Sequence, residues 1–416
     1  MRSGDSMIPT PVPKTDPPSL RQPLRLLVLR AMGLPFTLTG ATFDKTLRLR
    51  RILLIRPDHL GDLLFTTPAL RLLREQLPGA HLTALVGSWG KAALANNPCV
   101  DAIQTLEFPG FTRKPKPSLL APYRYLREAA RTLRAQNFDA AVILRFDHWW
   151  GAWLAALAGI PRRIGYDVAE VSPFVNDRVR YEKGRHEVTQ NLRLAAHLAG
   201  ALEPTVTPNS TPLEFFPSPA DDEAARRFLQ ANEVDEGEGF AVLAPGSGAR
   251  VKLWRAEGFA RVAEALRERW RLKIVVVGSG DAELALAEHI AAQSRAPALN
   301  AVGRTTLAQL AALFARAAIV VGVDSGPMHL AVAMRAPAVH LFGPVSAGLF
   351  GPWGDPSRHV VLTSGLACIA CNRLDYTDDE IPAHPCVPLI REQAVLAAVE
   401  TILSRSPGRS SSARVI

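Results

Sequence analysis

The sequence predicts an α/β protein of two halves, each a parallel β-sheet wrapped by helices, facing each other across a cleft. Three observations predict it. Short apolar, β-branched runs alternate with helical stretches along most of the chain, which is the pattern of parallel sheets covered on both faces. A stretch rich in proline and hydroxyl residues, Glu203-Pro-Thr-Val-Thr-Pro-Asn-Ser-Thr-Pro212, breaks both periodicities, and the alternation restarts beyond it. The 416 residues, 48% of them apolar and 21% charged, suffice for two full cores.

Residues 1–49 form an extension expected to be partly disordered, since the first twenty hold five prolines. Within it Leu24 to Leu38 predicts a short amphipathic helix, either packed on the domain or lying on a membrane surface. A first domain, 50–204, opens on the strand Arg51–Arg56, the loop Pro57–Gly61 and a helix from Asp62 to Leu77, ended by Pro78-Gly79. Strands follow at His81–Val86, Ala102–Leu106 and Ala140–Leu144, with helices at Tyr123–Gln136 and Trp149–Ala158. A second domain, 213–403, has strands Phe240–Ala244, Leu272–Val277, Ile319–Val323 and Ala338–Phe342. Its helices are predicted at Arg255–Trp270, Asp281–Ala292 and Leu307–Arg316, and from Pro327 to Arg335. Residues 404–416 read as a disordered basic tail.

The net charge of +9 suggests anionic partners, among phosphorylated substrates, nucleic acid and an anionic membrane surface. Four cysteines make no disulfide framework, so a reducing cytosol is expected. The start of the chain lacks the apolar core of a secretory signal, and the longest uncharged stretch, Ala336 to Gly354, is broken by prolines and glycines. A soluble protein is expected.

The stretch Ala318-Ile-Val-Val-Gly-Val-Asp-Ser-Gly-Pro-Met-His329 carries most of the chemical signal. An apolar strand turns at Asp324-Ser325-Gly326 into a helix whose first position suits Pro327. Such a turn is either an anion site, with free N–H groups and the positive helix end at one point, or an ordinary βα turn with Ser325 as the cap. Two more strand ends of the same half carry related features. Ala244-Pro-Gly-Ser-Gly, with Gly246 and Ser247, can bring backbone close to a phosphate, and Lys252 follows as a mobile cation. Gly278-Ser-Gly-Asp-Ala-Glu283 offers a carboxylate for a ribose hydroxyl. Neither glycine run continues as Gly-Lys-Ser/Thr or sits at the first strand, which argues against a nucleotide hydrolase and a nicotinamide dehydrogenase. In the first half, Asp62 stands at the mouth of a helix. It is either a helix-starting cap or a base kept ionised by the helix dipole, and His59 could line the same pocket.

Ile52-Leu-Leu-Ile-Arg-Pro-Asp-His-Leu-Gly-Asp-Leu-Leu-Phe-Thr-Thr-Pro68, Pro245-Gly-Ser with Lys252, and Asp324-Ser-Gly-Pro-Met-His329 together resemble the lipopolysaccharide heptosyltransferases of glycosyltransferase family 9, over about residues 50–402. The resemblance implies a GT-B fold of two Rossmann-like domains and inverting, metal-independent transfer without a further cofactor. The donor would be ADP-heptose, held by the second domain, and the acceptor the inner core of lipopolysaccharide on lipid A. Asp62 would be the general base. Lys252, Gly246, Ser247, Glu283, Asp324, Ser325, Gly326 and His329 would hold the donor, with the Ser325 and Gly326 amides on its diphosphate. A monomer, peripheral at the cytoplasmic face of the inner membrane, is expected. Alternatives are another nucleotide sugar or acceptor on the same fold, or a non-hydrolysing nucleotide-sugar epimerase.

Between Glu107 and Gln136 stand Arg113, Lys114, Lys116, Arg124, Arg127, Arg131 and Arg134, against one interior acid, Glu128. The segment is a solvated helix face or, as favoured here, an acceptor-binding surface that includes Arg113, Lys114, Arg124 and Arg127. Little aromatic interleaving speaks for nucleic acid. Cys368, Cys371 and Cys386, with His384 between, have spacing compatible with zinc, although free thiols are expected instead.

Overall fold

The computed structural model describes residues 21–38, 48–112, 121–234 and 239–405. The disorder expected over 1–20, 39–47 and 406–416 lies outside these residues. The first sheet contains β1 (Arg51–Arg56), β2 (His81–Val86), β3 (Ala102–Thr105), β4 (Ala140–Ile143), β5 (Arg162–Tyr166) and β6 (Asp177–Val179) in the order β3-β2-β1-β4-β5-β6. The second contains β7 (Phe240–Ala244), β8 (Lys273–Val276), β9 (Ala298–Asn300), β10 (Ile319–Val323), β11 (Ala338–Leu341) and β12 (His359–Leu362) in the order β12-β11-β10-β7-β8-β9. All ladder pairings are parallel. Both sheets are doubly wound, so each has one switch point where the strand order reverses. These points lie between β1 and β4 and between β7 and β10, and ligands of such folds sit outside the carboxyl ends there.

The central strands explain themselves. β1, β7 and β10 are continuous apolar runs buried on both faces, as strands in a covered parallel sheet must be. Four strands escaped the sequence reading: β5, β6, β9 and β12. β6 and β9 have only three residues, β12 starts on a histidine, and β5 begins with two arginines. Arg163 is nonetheless buried, because its guanidinium donates to the carbonyls of Phe174 and Ile160 at 2.8 and 2.7 Å.

The helix predicted from Asp62 to Leu77 is two helices, Leu60–Leu64 and Thr67–Gln76. The break has a local cause. The Thr66 and Thr67 hydroxyls donate to the carbonyls of Leu63 and Leu64 at 2.6 and 2.8 Å, and Pro68 has no N–H to continue the ladder. Residues 201–217, which include the expected linker, carry neither helix nor strand. The helix Glu392–Ser404 runs through Ser404, where the disordered tail was expected to begin, and packs on the second half. A helix at Arg21–Leu38 covers the segment expected in the extension. It is apolar on two sides, one packed on the first half through Leu29 and one exposed at Leu24 and Leu27, and so is not amphipathic in the expected sense. No helix among the described residues is long and apolar enough to cross a membrane.

The two halves share a buried contact. The helix Leu60–Leu64, at the end of β1, abuts the helix Gly326–Ala333, at the end of β10. One buried apolar cluster runs through it, from Leu63, Leu64 and Phe65 to Met328 and Leu330.

Candidate active site

The site is assembled from the two switch points. At the end of β1 the buried guanidinium of Arg56 gathers three carboxylates. Its Nε pairs with Asp58 at 2.7 Å, its Nη1 with Glu187 at 2.7 Å and its Nη2 with Asp62 at 3.2 Å. Arg56 Nη1 also donates to the Leu144 carbonyl at 2.9 Å, which ties the group to the end of β4. From the same end Arg145 pairs with Asp58 and, at 2.7 Å, with Asp147. Burial alone would raise the Asp58 carboxyl, but Arg56 and Arg145 outweigh it and hold that group below the ordinary carboxylate range.

Asp62 goes the other way. Desolvation and then the charge of Asp58, with help from Glu187, outweigh Arg56, and its pKa is pushed up to about 6. The dipole of the short helix, expected to keep it ionised, is therefore not the controlling influence. Asp62 stands in the first turn of that helix and not at its cap position, which is His59. About a third of the Asp62 side chain remains exposed, enough for a substrate hydroxyl to reach it. A carboxylate poised near neutrality, held from one side and open on the other, is equipped to accept a proton. His148, after β4, is buried among Phe108, Phe111 and Trp150, and burial lowers its pKa to about 3, so it stays neutral. His59 is exposed and packs its ring against Trp89.

At the second switch point, Lys252 pairs with Asp324 at 2.8 Å, and the Ser247 hydroxyl donates to the Asp324 carbonyl at 3.2 Å. Against burial, His329 and Lys252 hold the Asp324 carboxyl below its ordinary range. Ser325 precedes the helix Gly326–Ala333, yet its side chain makes no capping bond. Its buried Oγ has no hydrogen-bond partner among the described residues. Ser325 thus holds the N-cap position without capping through its side chain, which leaves a buried hydroxyl beside a helix start, where an anion could use it. Glu283 lies in the first turn of the helix Asp281–Gln293 and accepts from the Ser279 N–H at 2.7 Å. Its carboxyl lies so close to Gly246 that a Cβ there would meet Glu283 Cδ at 2.2 Å. Gly246, Ser247, Lys252, Glu283, Asp324 and Ser325 therefore converge on one sheet edge.

The halves meet beside these groups. A Cβ on Gly61, the residue before Asp62, would meet His329 Cδ2 at 2.6 Å, and the His329 ring sits 4.7 Å from that of Phe65. Gly326 faces Leu60 in the same contact. The proposed base and the proposed anion site thus flank one helix–helix junction.

Other expectations fare differently. Arg124 and Arg127 are exposed on the helix Ala121–Arg134, apart from the Asp62 network, while Arg113 and Lys114 lie outside the described residues. Cys368, Cys371, His384 and Cys386 line a cavity of about 820 Å³, but all the cysteines are free, with Cys371 exposed. Burial, then the neighbouring thiols, push Cys386 up to about 11. Among the described residues no group of three or more His, Cys, Asp or Glu is arranged to hold a metal ion.

Residues 126–376 match the family model described as glycosyltransferase family 9 (heptosyltransferase). The chain belongs to glycosyltransferase family 9. The matched span contains the whole second switch point, from Gly246 to His329, and starts beyond Asp62. This family 9 enzyme, a glycosyltransferase, is 28% identical over 300 residues to lipopolysaccharide heptosyltransferase 3 of Escherichia coli strain K12, covering 71% of this chain and 83% of that protein. The solved family 9 glycosyl transferase of Veillonella parvula superposes with a TM-score of 0.72 at 25% identity, covering 87% of this chain and 100% of that one. E. coli ADP-heptose lipopolysaccharide heptosyltransferase II shares the fold, with a TM-score of 0.67 at 22% identity and coverage of 85% and 99%.

Sequence reasoning named Asp62, Lys252 and the Asp324 turn but missed the groups that tune them. Arg56 and Asp58 carried a signal, charges at the inner end of an apolar strand. Arg145 carried a weaker one of the same kind, and Glu187 none, because only folding brings it to β1 from 131 residues away.

Proposed function

We propose that this glycosyltransferase moves a heptose from ADP-heptose to the inner core of lipopolysaccharide, with inversion and without a metal. Asp62, placed beside the junction with a raised pKa and an open face, carries this reading. Its carboxylate takes the proton of an acceptor hydroxyl as the oxygen attacks the anomeric carbon from the face opposite the diphosphate. The bond from that carbon to the diphosphate oxygen breaks, and ADP leaves with the electron pair. Lys252, the Ser325 hydroxyl and the N–H groups at the start of the helix Gly326–Ala333 meet the charge of the leaving group. Asp324 holds Lys252 in place and lies next to the donor sugar, while Glu283 takes the ribose. The division of labour follows the expected domains, 50–204 for the acceptor and 213–403 for the donor. The names of the relatives support the donor and acceptor, and the enzyme works as a monomer at the cytoplasmic face of the inner membrane.

Calorimetric titration with ADP, UDP, GDP and then ADP-heptose tests the donor. Tighter binding of the adenine forms is expected. Preference for another nucleotide would keep the fold and the base but remove the heptose assignment.

A further inference from the structure

The helix Arg21–Leu38 is not used by the transfer reaction, and it has two apolar sides. Its inner side is settled. Leu29 is buried, Met32 and Phe36 pack against the same cluster, and a Cβ on Gly33 would meet Pro173 Cβ at 2.3 Å. At about 100° per residue, Leu24, Leu27 and Ala31 fall on the opposite side and Val28 at its border. Leu24, Leu27 and Val28 are 62%, 64% and 48% exposed. Arg30, exposed, borders the outer side, Arg25 is exposed although it lies in line with Leu29 and Phe36, and the helix holds no acidic residue. Single exposed apolar side chains are ordinary, but Leu24, Leu27 and Val28 within five residues, with exposed arginines nearby, mark an interaction surface.

The inner side of this helix is linked through the core to a second helix. Phe36 packs on Phe174, Phe174 on Trp153 and Trp153 on Tyr123, with ring centroids 6.3, 6.1 and 6.0 Å apart. Tyr123 is exposed at the start of the helix Ala121–Arg134, and Arg124, Arg127 and Arg131 beside it are exposed too. The helix Arg21–Leu38 and the arginine-bearing helix Ala121–Arg134 are thus linked through packed rings and make up one flank of the first half. Apolar residues backed by cations whose stems can lie along the surface suit the headgroup–acyl boundary of an anionic bilayer. A second copy of this flank would bring arginines against arginines.

We propose that this flank docks the enzyme on an anionic lipid bilayer, with Leu24, Leu27 and Val28 inserted and the arginines on lipid phosphates. The assignment gives a surface to the reading that the acceptor is borne on a membrane, and rests on that reading. The test is sedimentation of the full chain with phosphatidylcholine vesicles, with and without phosphatidylglycerol, in the absence of donor and acceptor. Binding to the anionic vesicles is expected. Leu24→Glu with Leu27→Glu should lower it by about tenfold or more, and Arg25→Gln or Arg30→Gln by about fivefold each. Donor titration of the leucine variant should match the wild type, which shows that the site is folded. Equal binding to neutral vesicles, or full binding by the leucine variant, would overturn the proposal. So would a wild-type dimer that the leucine variant dissolves, since the face would then belong to a second copy. Loss of donor binding in the wild type would sink the heptosyl reading and leave the vesicle result standing.

Discussion

Asp62 shares Arg56 with Asp58 and Glu187, and the balance among these four groups sets when it can act as a base. Because its pKa is raised to about 6, Asp62 is protonated below that value and ionised above it. The pH profile of kcat/KM should therefore rise through about 6 and level off above. Glu187 adds to the rise, so Glu187→Gln should move the inflection to lower pH; an unmoved inflection would remove Glu187 from the tuning. In the second half, Lys252→Ala should weaken ADP-heptose binding by about 1.5–3 kcal/mol in calorimetry, as expected for a charged hydrogen bond. At this scale the sequence was informative for several groups at or after strand ends, though Arg56, Asp58 and Arg145, also at strand ends, were missed. Asp62, Gly246, Lys252, Glu283 and Asp324 all sit at a strand end or follow one closely. It was silent for Glu187, which belongs to a helix that reaches β1 only through tertiary packing, and it misjudged the cause of the Asp62 shift, since burial and neighbouring charge are not visible in a string of letters.

Among the elements, the break between Leu60–Leu64 and Thr67–Gln76 matters most to the site, because it lets the first short helix turn toward the second half. Thr67 is fully buried. Besides bonding to the Leu64 carbonyl, its hydroxyl accepts from the Glu214 N–H at 3.0 Å, so it also pins the chain entering the second half. Thr67→Val keeps the shape and removes both bonds. It should cost about 1–3 kcal/mol in urea unfolding, because the half-buried Glu214 N–H loses its partner. The apolar period of Leu63, Leu64, Leu70, Leu73 and Leu77 is continuous across the break, which is why a single helix was expected. The strands show the same limit. β1, β2, β7 and β10 announce themselves as apolar runs, whereas β5, β6, β9 and β12 are placed by their neighbours' ladders.

In the whole molecule, two doubly wound sheets present their switch points to one junction, and the contact between Gly61 and His329 closes it. Gly61→Ala should drive the halves apart or displace the imidazole, at a cost of about 1–3 kcal/mol in unfolding experiments. Adding His329→Ala makes room for the methyl group and should return much of that stability; if it does not, the junction is not where the strain falls. The two-sheet plan was legible from the alternation of strands and helices. The junction was not, since nothing in the sequence states that Gly61 and His329 meet. In the proposed mechanism Asp62, at this junction, is the base for transfer. This role is tested most directly by the single-turnover rate of heptose transfer in Asp62→Asn, measured beside its titration with ADP-heptose. The predicted result is a rate lower by about 10²–10⁴-fold with donor affinity unchanged, whereas transfer at the wild-type rate would contradict the account.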